Sequence, residues 1–160
     1  MSNRMFKTSI DLDVETRSQL VGILNQQLAD TFDLYSQTKQ AHWNVKGSSF
    51  FSLHELFDRL ASGLIGHVDT IAERATTLGG RANGTLRSAG LISRLAEYPE
   101  VTDGRESLEA LVERYAQLAA STRAAILTAA ELGDANTSDL LTGVSRDLDK
   151  SLWFLESHLD

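Results

Sequence analysis

One run, HELFDRLASGLIGHVDTIAE at residues 54–73, carries two pairs of metal-binding side chains, each spaced by four. They are His54 and Asp58 at one end, and Asp69 and Glu73 at the other. Each pair is spaced by four, which on a helix places its members on one face, a turn apart. Imidazole with carboxylate suits iron(II), and also zinc, manganese or cobalt. The eleven residues from Asp58 to Asp69 make almost three whole turns, so all four project within one stripe. The helical rise nevertheless separates Asp58 from Asp69 by about 16 Å. Metal bonds to nitrogen or oxygen are about 2 Å long, so one chain carries two incomplete sites.

The two pairs are mirror-spaced about the point between Gly63 and Leu64. Two copies of this helix packed antiparallel about a two-fold axis there would set His54 and Asp58 of one against Glu73 and Asp69 of the other. An isologous contact of this kind makes two equivalent sites per dimer. The midpoint reads ASGLIG, and a glycine inside a helix costs about 1 kcal/mol relative to alanine, so close backbone approach is the packing reason expected for Gly63 and Gly66. His42 lies five residues before Gly47 and His54 seven after it, so an antiparallel hairpin brings both imidazoles to one level. The expected site is His42, His54 and Asp58 from one subunit with Asp69 and Glu73 from its partner.

The elements that must position these residues are helical. The 160 residues contain 42% hydrophobic and 7% aromatic residues with one proline, which fits a single all-α domain better than a sheet. The first helical pattern runs from an N-cap at Asp13 to a stop at Gly47, with the apolar stripe Val21, Leu24, Leu28, Phe32 and Tyr35. The second runs from Ser49 to Gly79-Gly80 on Leu53, Phe57, Leu60, Leu64, Ile71 and Leu78. Residues 79–104 hold five glycines and the proline, a connection long enough to be a crossover, with a short helix expected at LISRLAEY, residues 91–98. Two further helices follow, broken at Gly133. Two short hairpins around one long crossover is the connectivity of a ferritin-like four-helix bundle. The domain is expected over 13–160, with residues 1–12 as a short flexible tail.

Other chemistry is excluded. There is no cysteine, hence no disulfide or thiolate centre. The glycines at 79–90 lack the GxGxxG spacing, and no Glu-x-x-His pair provides a di-iron site inside one bundle. The net charge of −7 argues against a general nucleic-acid surface. No apolar run suggests a signal peptide or membrane span, so a cytoplasmic protein is expected. His67, on the core stripe, reads as structural; His158 reads as a complement to the last helix's dipole. Trp43 and Trp153 read as packing anchors.

The runs KQAHWNVKGSSFFSLHELFD, HVDTIAERATTLGG and SRDLDKSLWFLESHLD resemble the Dps family, the miniferritins, and the likeness spans nearly the whole chain. The resemblance implies a hollow dodecamer with iron-oxidising sites at its two-fold interfaces, their ligands falling on His42, His54, Asp58, Asp69 and Glu73. It implies iron(II) oxidation, preferably by hydrogen peroxide, with ferric mineral stored inside and DNA protected as a result. It also implies acidic three-fold pores, here at Glu131, Asp134 and Asp139. Zinc or another divalent metal is an alternative occupant of the site. Family members that bind DNA often use a lysine-rich tail, whereas the first ten residues here carry only Arg4 and Lys7, so weak or absent DNA binding is expected. The rival readings are a nucleoid-compacting DNA binder whose metal site is secondary, and a purely structural bundle.

Overall fold

The computed structural model describes residues 5–160. Five helices follow in order: α1 (Val14–Asn44), α2 (Phe50–Thr77), α3 (Leu86–Ile92), α4 (Gly104–Glu131) and α5 (Ala135–Glu156). The long four are the expected bundle: α1 pairs with α2 and α4 with α5, and the crossover carrying α3 joins the two hairpins. Asp13 caps α1 by accepting from the N–H groups of Glu15 and Thr16, both at 2.9 Å, and Asp103 caps α4 in the same manner. A carboxylate here satisfies N–H groups that have no helical partner. Leu24, Phe57, Ile71, Leu111, Tyr115 and Leu148 fill the centre, each essentially sealed from solvent. Among the described residues no helix is long and apolar enough to cross a membrane.

Three sequence expectations change. First, α1 ends at Asn44 rather than running to Gly47, because Lys46 turns away to donate to the Thr102 carbonyl at 2.8 Å. Gly47 then takes the positive φ, 106°, that reverses the chain.

Second, the short crossover helix is Leu86–Ile92, capped by Thr85, and not residues 91–98. Beyond Ile92 the backbone is held by side chains of the bundle. Gln26 donates to the Ile92 carbonyl at 2.8 Å, Gln37 to the Ala96 carbonyl at 3.0 Å, and Arg114 to the carbonyls of Ala96 and Glu97. Asp30, 1% exposed, accepts from the Arg94 backbone N–H at 2.9 Å and from its guanidinium. These contacts occupy the groups a helix would have used internally.

Third, from Met5 onward the expected flexible tail is docked. The Phe6 N–H donates to the Gly79 carbonyl at 2.7 Å, and buried Arg17 donates to Leu12 and Leu78 at 3.1 and 2.8 Å. A Cβ on Gly79 would lie 2.6 Å from the Phe6 carbonyl oxygen, so this glycine serves the docking as well as the helix stop. Arg4 lies outside the described residues.

Candidate metal centre

His42 stands near the end of α1 and His54 near the start of α2, at one level of the α1–α2 hairpin. Their rings stack with centroids 3.8 Å apart and planes inclined by 23°. The His42 Nδ1 lies 2.8 Å from the His54 carbonyl oxygen, and the His54 Nδ1 lies 2.9 Å from the His42 carbonyl oxygen. A carbonyl can only accept, so each Nδ1 carries the proton and donates. In the neutral rings both Nε2 atoms therefore keep a free lone pair, the form in which imidazole binds a metal. Each histidine fixes the tautomer and the ring angle of the other. The Phe50 ring, 5.1 Å from that of His54, flanks the pair.

Asp58 follows one turn after His54. Its Oδ1 lies 4.0 Å from His42 Nε2, so the chain brings three of the five expected ligands to one place. The same oxygen accepts from Lys39 Nζ at 2.7 Å, a residue that sequence reasoning missed although it stands three before His42 on the same helix face. The Lys39 hydrogen bond is the main reason the Asp58 carboxyl sits below the ordinary carboxylate range, and it outweighs the loss of hydration beside the hairpin, with the charge of Lys39 adding to it. Lys39 also lies 5.7 Å from the Trp43 ring centroid.

Asp69 and Glu73 are exposed on the remote half of α2 and do not join this cluster. Among the described residues no three His, Asp or Glu side chains are placed to hold an ion within one chain. Between the halves, Ser62, Gly63 and Gly66 are exposed, and a Cβ on either glycine would meet nothing within 4 Å.

The comparisons with known proteins bear on the whole chain. Residues 21–160 match the family described as ferritin-like domain. The chain is 47% identical over 154 residues to the DNA protection during starvation protein of Agrobacterium fabrum, covering 96% of this chain and 95% of that one. The chain belongs to the Dps family. It superposes on DpsC from Streptomyces coelicolor with a TM-score of 0.93 at 33% identity, covering 99% of this chain and 92% of that one. The Dps protein of Vibrio cholerae O1 matches with a TM-score of 0.91 at 32% identity, over 99% of this chain and 100% of that one. That protein is described as a member of a broad superfamily of ferritin-like diiron-carboxylate proteins.

Within this Dps chain the acidic residues near the α4–α5 turn divide. Glu131 and Asp139 are exposed and have no ion-pair partner among the described residues. Asp134 is 4% exposed and committed elsewhere. It caps α5, and one Arg74 guanidinium nitrogen donates to its two carboxylate oxygens at 2.9 and 2.8 Å. As a free pore carboxylate Asp134 is therefore corrected: its charge is already neutralised inside the fold. Burial alone would raise its pKa, but the hydrogen bonds from Thr137 and Arg74 outweigh that and leave it lowered.

The remaining sequence-predicted groups also find places. His67 is not enclosed in the core; its Nε2 lies 3.0 Å from Asp147 Oδ2, so it ties α2 to α5. His158 lies just past the end of α5 and bonds through Nδ1 to the Phe154 carbonyl at 2.7 Å. Trp43 and Trp153 are 66% and 61% exposed, so neither anchors the packing of its own chain.

Proposed function

We propose that this protein oxidises iron(II) at sites shared between two-fold related copies and stores the ferric product, protecting DNA from oxidative damage. One observation carries the reading. The reciprocally braced His42–His54 pair presents two metal-ready Nε2 atoms beside Asp58, while two more carboxylates stand on the same stripe of α2, mirror-spaced across open glycines. The relatives named for DNA protection and the diiron-carboxylate description of the Vibrio cholerae protein support the same reading.

In this mechanism α2 meets a second α2 head to tail, and Asp69 and Glu73 of one copy complete the site begun by His42, His54 and Asp58 of the other. The imidazoles hold iron(II), and the carboxylates favour the harder ferric ion as it forms. Lys39 keeps Asp58 ionised and in place until iron displaces the ammonium group. Two iron(II) ions each give up one electron to one hydrogen peroxide. The O–O bond breaks, two protons are taken up and two waters form, so no hydroxyl radical leaves. A closed shell, of twelve copies as the family resemblance implies, then encloses the mineral, and Glu131 and Asp139 are the carboxylates free to line a channel into it. Zinc or another divalent ion would bind the same donors without the redox step.

The test is turnover under anaerobic conditions. Peroxide should oxidise about two iron(II) per molecule, with far less spin-trapped hydroxyl radical than in a protein-free control. Equal trapping in both would overturn the protective chemistry.

Nucleoid compaction is the second reading, since the relatives' names state DNA protection without the means. The net charge of −7 gives phosphates little to neutralise, and the docked segment from Met5 onward holds Lys7 near the body of the bundle. Gel-shift assays at about 0.15 M salt should show weak or no binding; a tight shift there would make DNA the primary ligand.

A further inference from the structure

A second feature lies on the side of α2 that faces α5. Arg59 follows Asp58 by one residue, so it projects about 100° around the helix from the ligand stripe, on the side of α5. There it lines one pocket with Lys150. The Arg59 guanidinium carbon lies 5.6 Å, and the Lys150 Nζ 5.8 Å, from the centroid of one and the same ring, Phe154. Neither cation has a carboxylate partner among the described residues. In a chain of net charge −7 the pocket thus holds two cations whose charge no carboxylate offsets. They flank a pocket of about 140 Å³ between α2 and α5, which His67, Asp147 and Ser151 also line and whose floor is Leu64 and Leu148. Asp147 is the one acid in it, and His67 already holds that carboxylate at 3.0 Å.

We infer that this α2–α5 pocket binds a small tetrahedral oxyanion of the phosphate class between Arg59 and Lys150. A guanidinium and an ammonium can each donate charge-assisted hydrogen bonds to such an anion. The Phe154 face keeps both stems in place while the charged ends remain available, and Ser151 Oγ, which donates to the Asp147 carbonyl at 2.7 Å, adds no competing charge. The volume suits one dianion with a few waters and is too small for a nucleic-acid strand. None of its residues belongs to the proposed ferroxidase ligands, and Gly63 at its edge borders the proposed α2–α2 contact, so the site lies beside that interface.

The experiment is titration of the assembled, iron-free protein with inorganic phosphate, followed by calorimetry and phosphorus NMR. Saturable binding with a Kd of about 1 mM is expected, in keeping with two exposed charge contacts. Arg59→Gln and Lys150→Gln should each weaken it by about tenfold. Asp147→Asn, which removes the opposing charge, should strengthen it a few-fold. Arg87→Gln, which deletes an exposed cation on α3, away from α5, should leave it unchanged. A short thymidine oligonucleotide at equal phosphodiester concentration should not displace the phosphate. The inference is overturned if binding does not saturate, if Arg87→Gln weakens it as much as Arg59→Gln, or if the oligonucleotide binds where phosphate does not.

Discussion

Replacing His42 and His54 together by alanine is expected to lower the rate of iron(II) oxidation by at least about a hundredfold. The lower bound follows from the 10- to 100-fold losses seen when only the supporting partners of metal ligands are removed. Here two donors vanish at once, and with them the stacked rings that orient each other. The single variants sharpen the expectation. Deleting the His42 ring leaves His54 Nδ1 its carbonyl partner but removes the stacked ring 3.8 Å away, so His54 loses its orientation as well as its fellow ligand. Each single substitution should therefore cost nearly as much as the double, the non-additivity of groups that act as one unit. Initial rates from ferric absorbance, with helical content compared by circular dichroism, measure this. A double variant oxidising iron at the native rate would return the bundle to a purely structural role.

Asp134→Ala should lower the stability of the fold by about 3–5 kcal/mol, the range for removing one partner of a buried ion pair. Arg74 and Asp134 have side chains only 13% and 5% exposed, so the substitution strands a guanidinium away from water. It also strips α5 of the side chain that accepts from the Thr137 N–H at its first turn. Denaturant titration at fixed protomer concentration measures the loss, since assembly makes apparent stability depend on concentration. The pH dependence has a definite sign. The folded pKa of Asp134 is lowered, so its contribution is fully present above the pKa of the unfolded chain. It is lost as pH falls through the lower folded value. The native protein should lose this increment only below the ordinary carboxylate range, and Asp134→Ala should not show it. A variant as stable as the native protein would mean that Arg74 finds another partner.

The helices and the grouping of His42, His54 and Asp58 were legible because both follow from spacing. Leu53, Phe57, Leu60, Leu64, Ile71 and Leu78 are all buried, as their three- and four-residue intervals require. The same period that put them inward put His54 and Asp58 together, and the α1–α2 hairpin brought His42 to meet them. What spacing could not reveal was set by contacts distant in sequence. The pattern LISRLAEY has helical character, yet Gln26, Asp30, Gln37 and Arg114 hold its backbone from α1 and α4, and the helix forms earlier, behind the Thr85 cap. Asp134 looked like any acid in a polar turn until Arg74, sixty residues away in the chain, neutralised it. Trp43 and Trp153 show the limit of residue type as a guide: large aromatic rings usually fill cores, but these two stand in solvent on the single chain. Lys39 was within reach of sequence reasoning, three residues before His42, but its pairing with Asp58 needed the hairpin register.

The measurement that bears most directly on shared sites is complementation between two broken chains. One carries His54→Ala with Asp58→Ala and keeps Asp69 and Glu73; the other carries Asp69→Ala with Glu73→Ala and keeps the histidine half. Each assembled alone should be inactive in iron(II) oxidation. When the two are unfolded, mixed in equal amounts and reassembled, half the dimers should pair unlike chains, and each such dimer should own one intact site. Activity should return to about a quarter of the native value. If the mixture stays as inactive as its parents although mixed dimers form, the donors of one α2 do not complete the site of another, and the proposed centre is wrong.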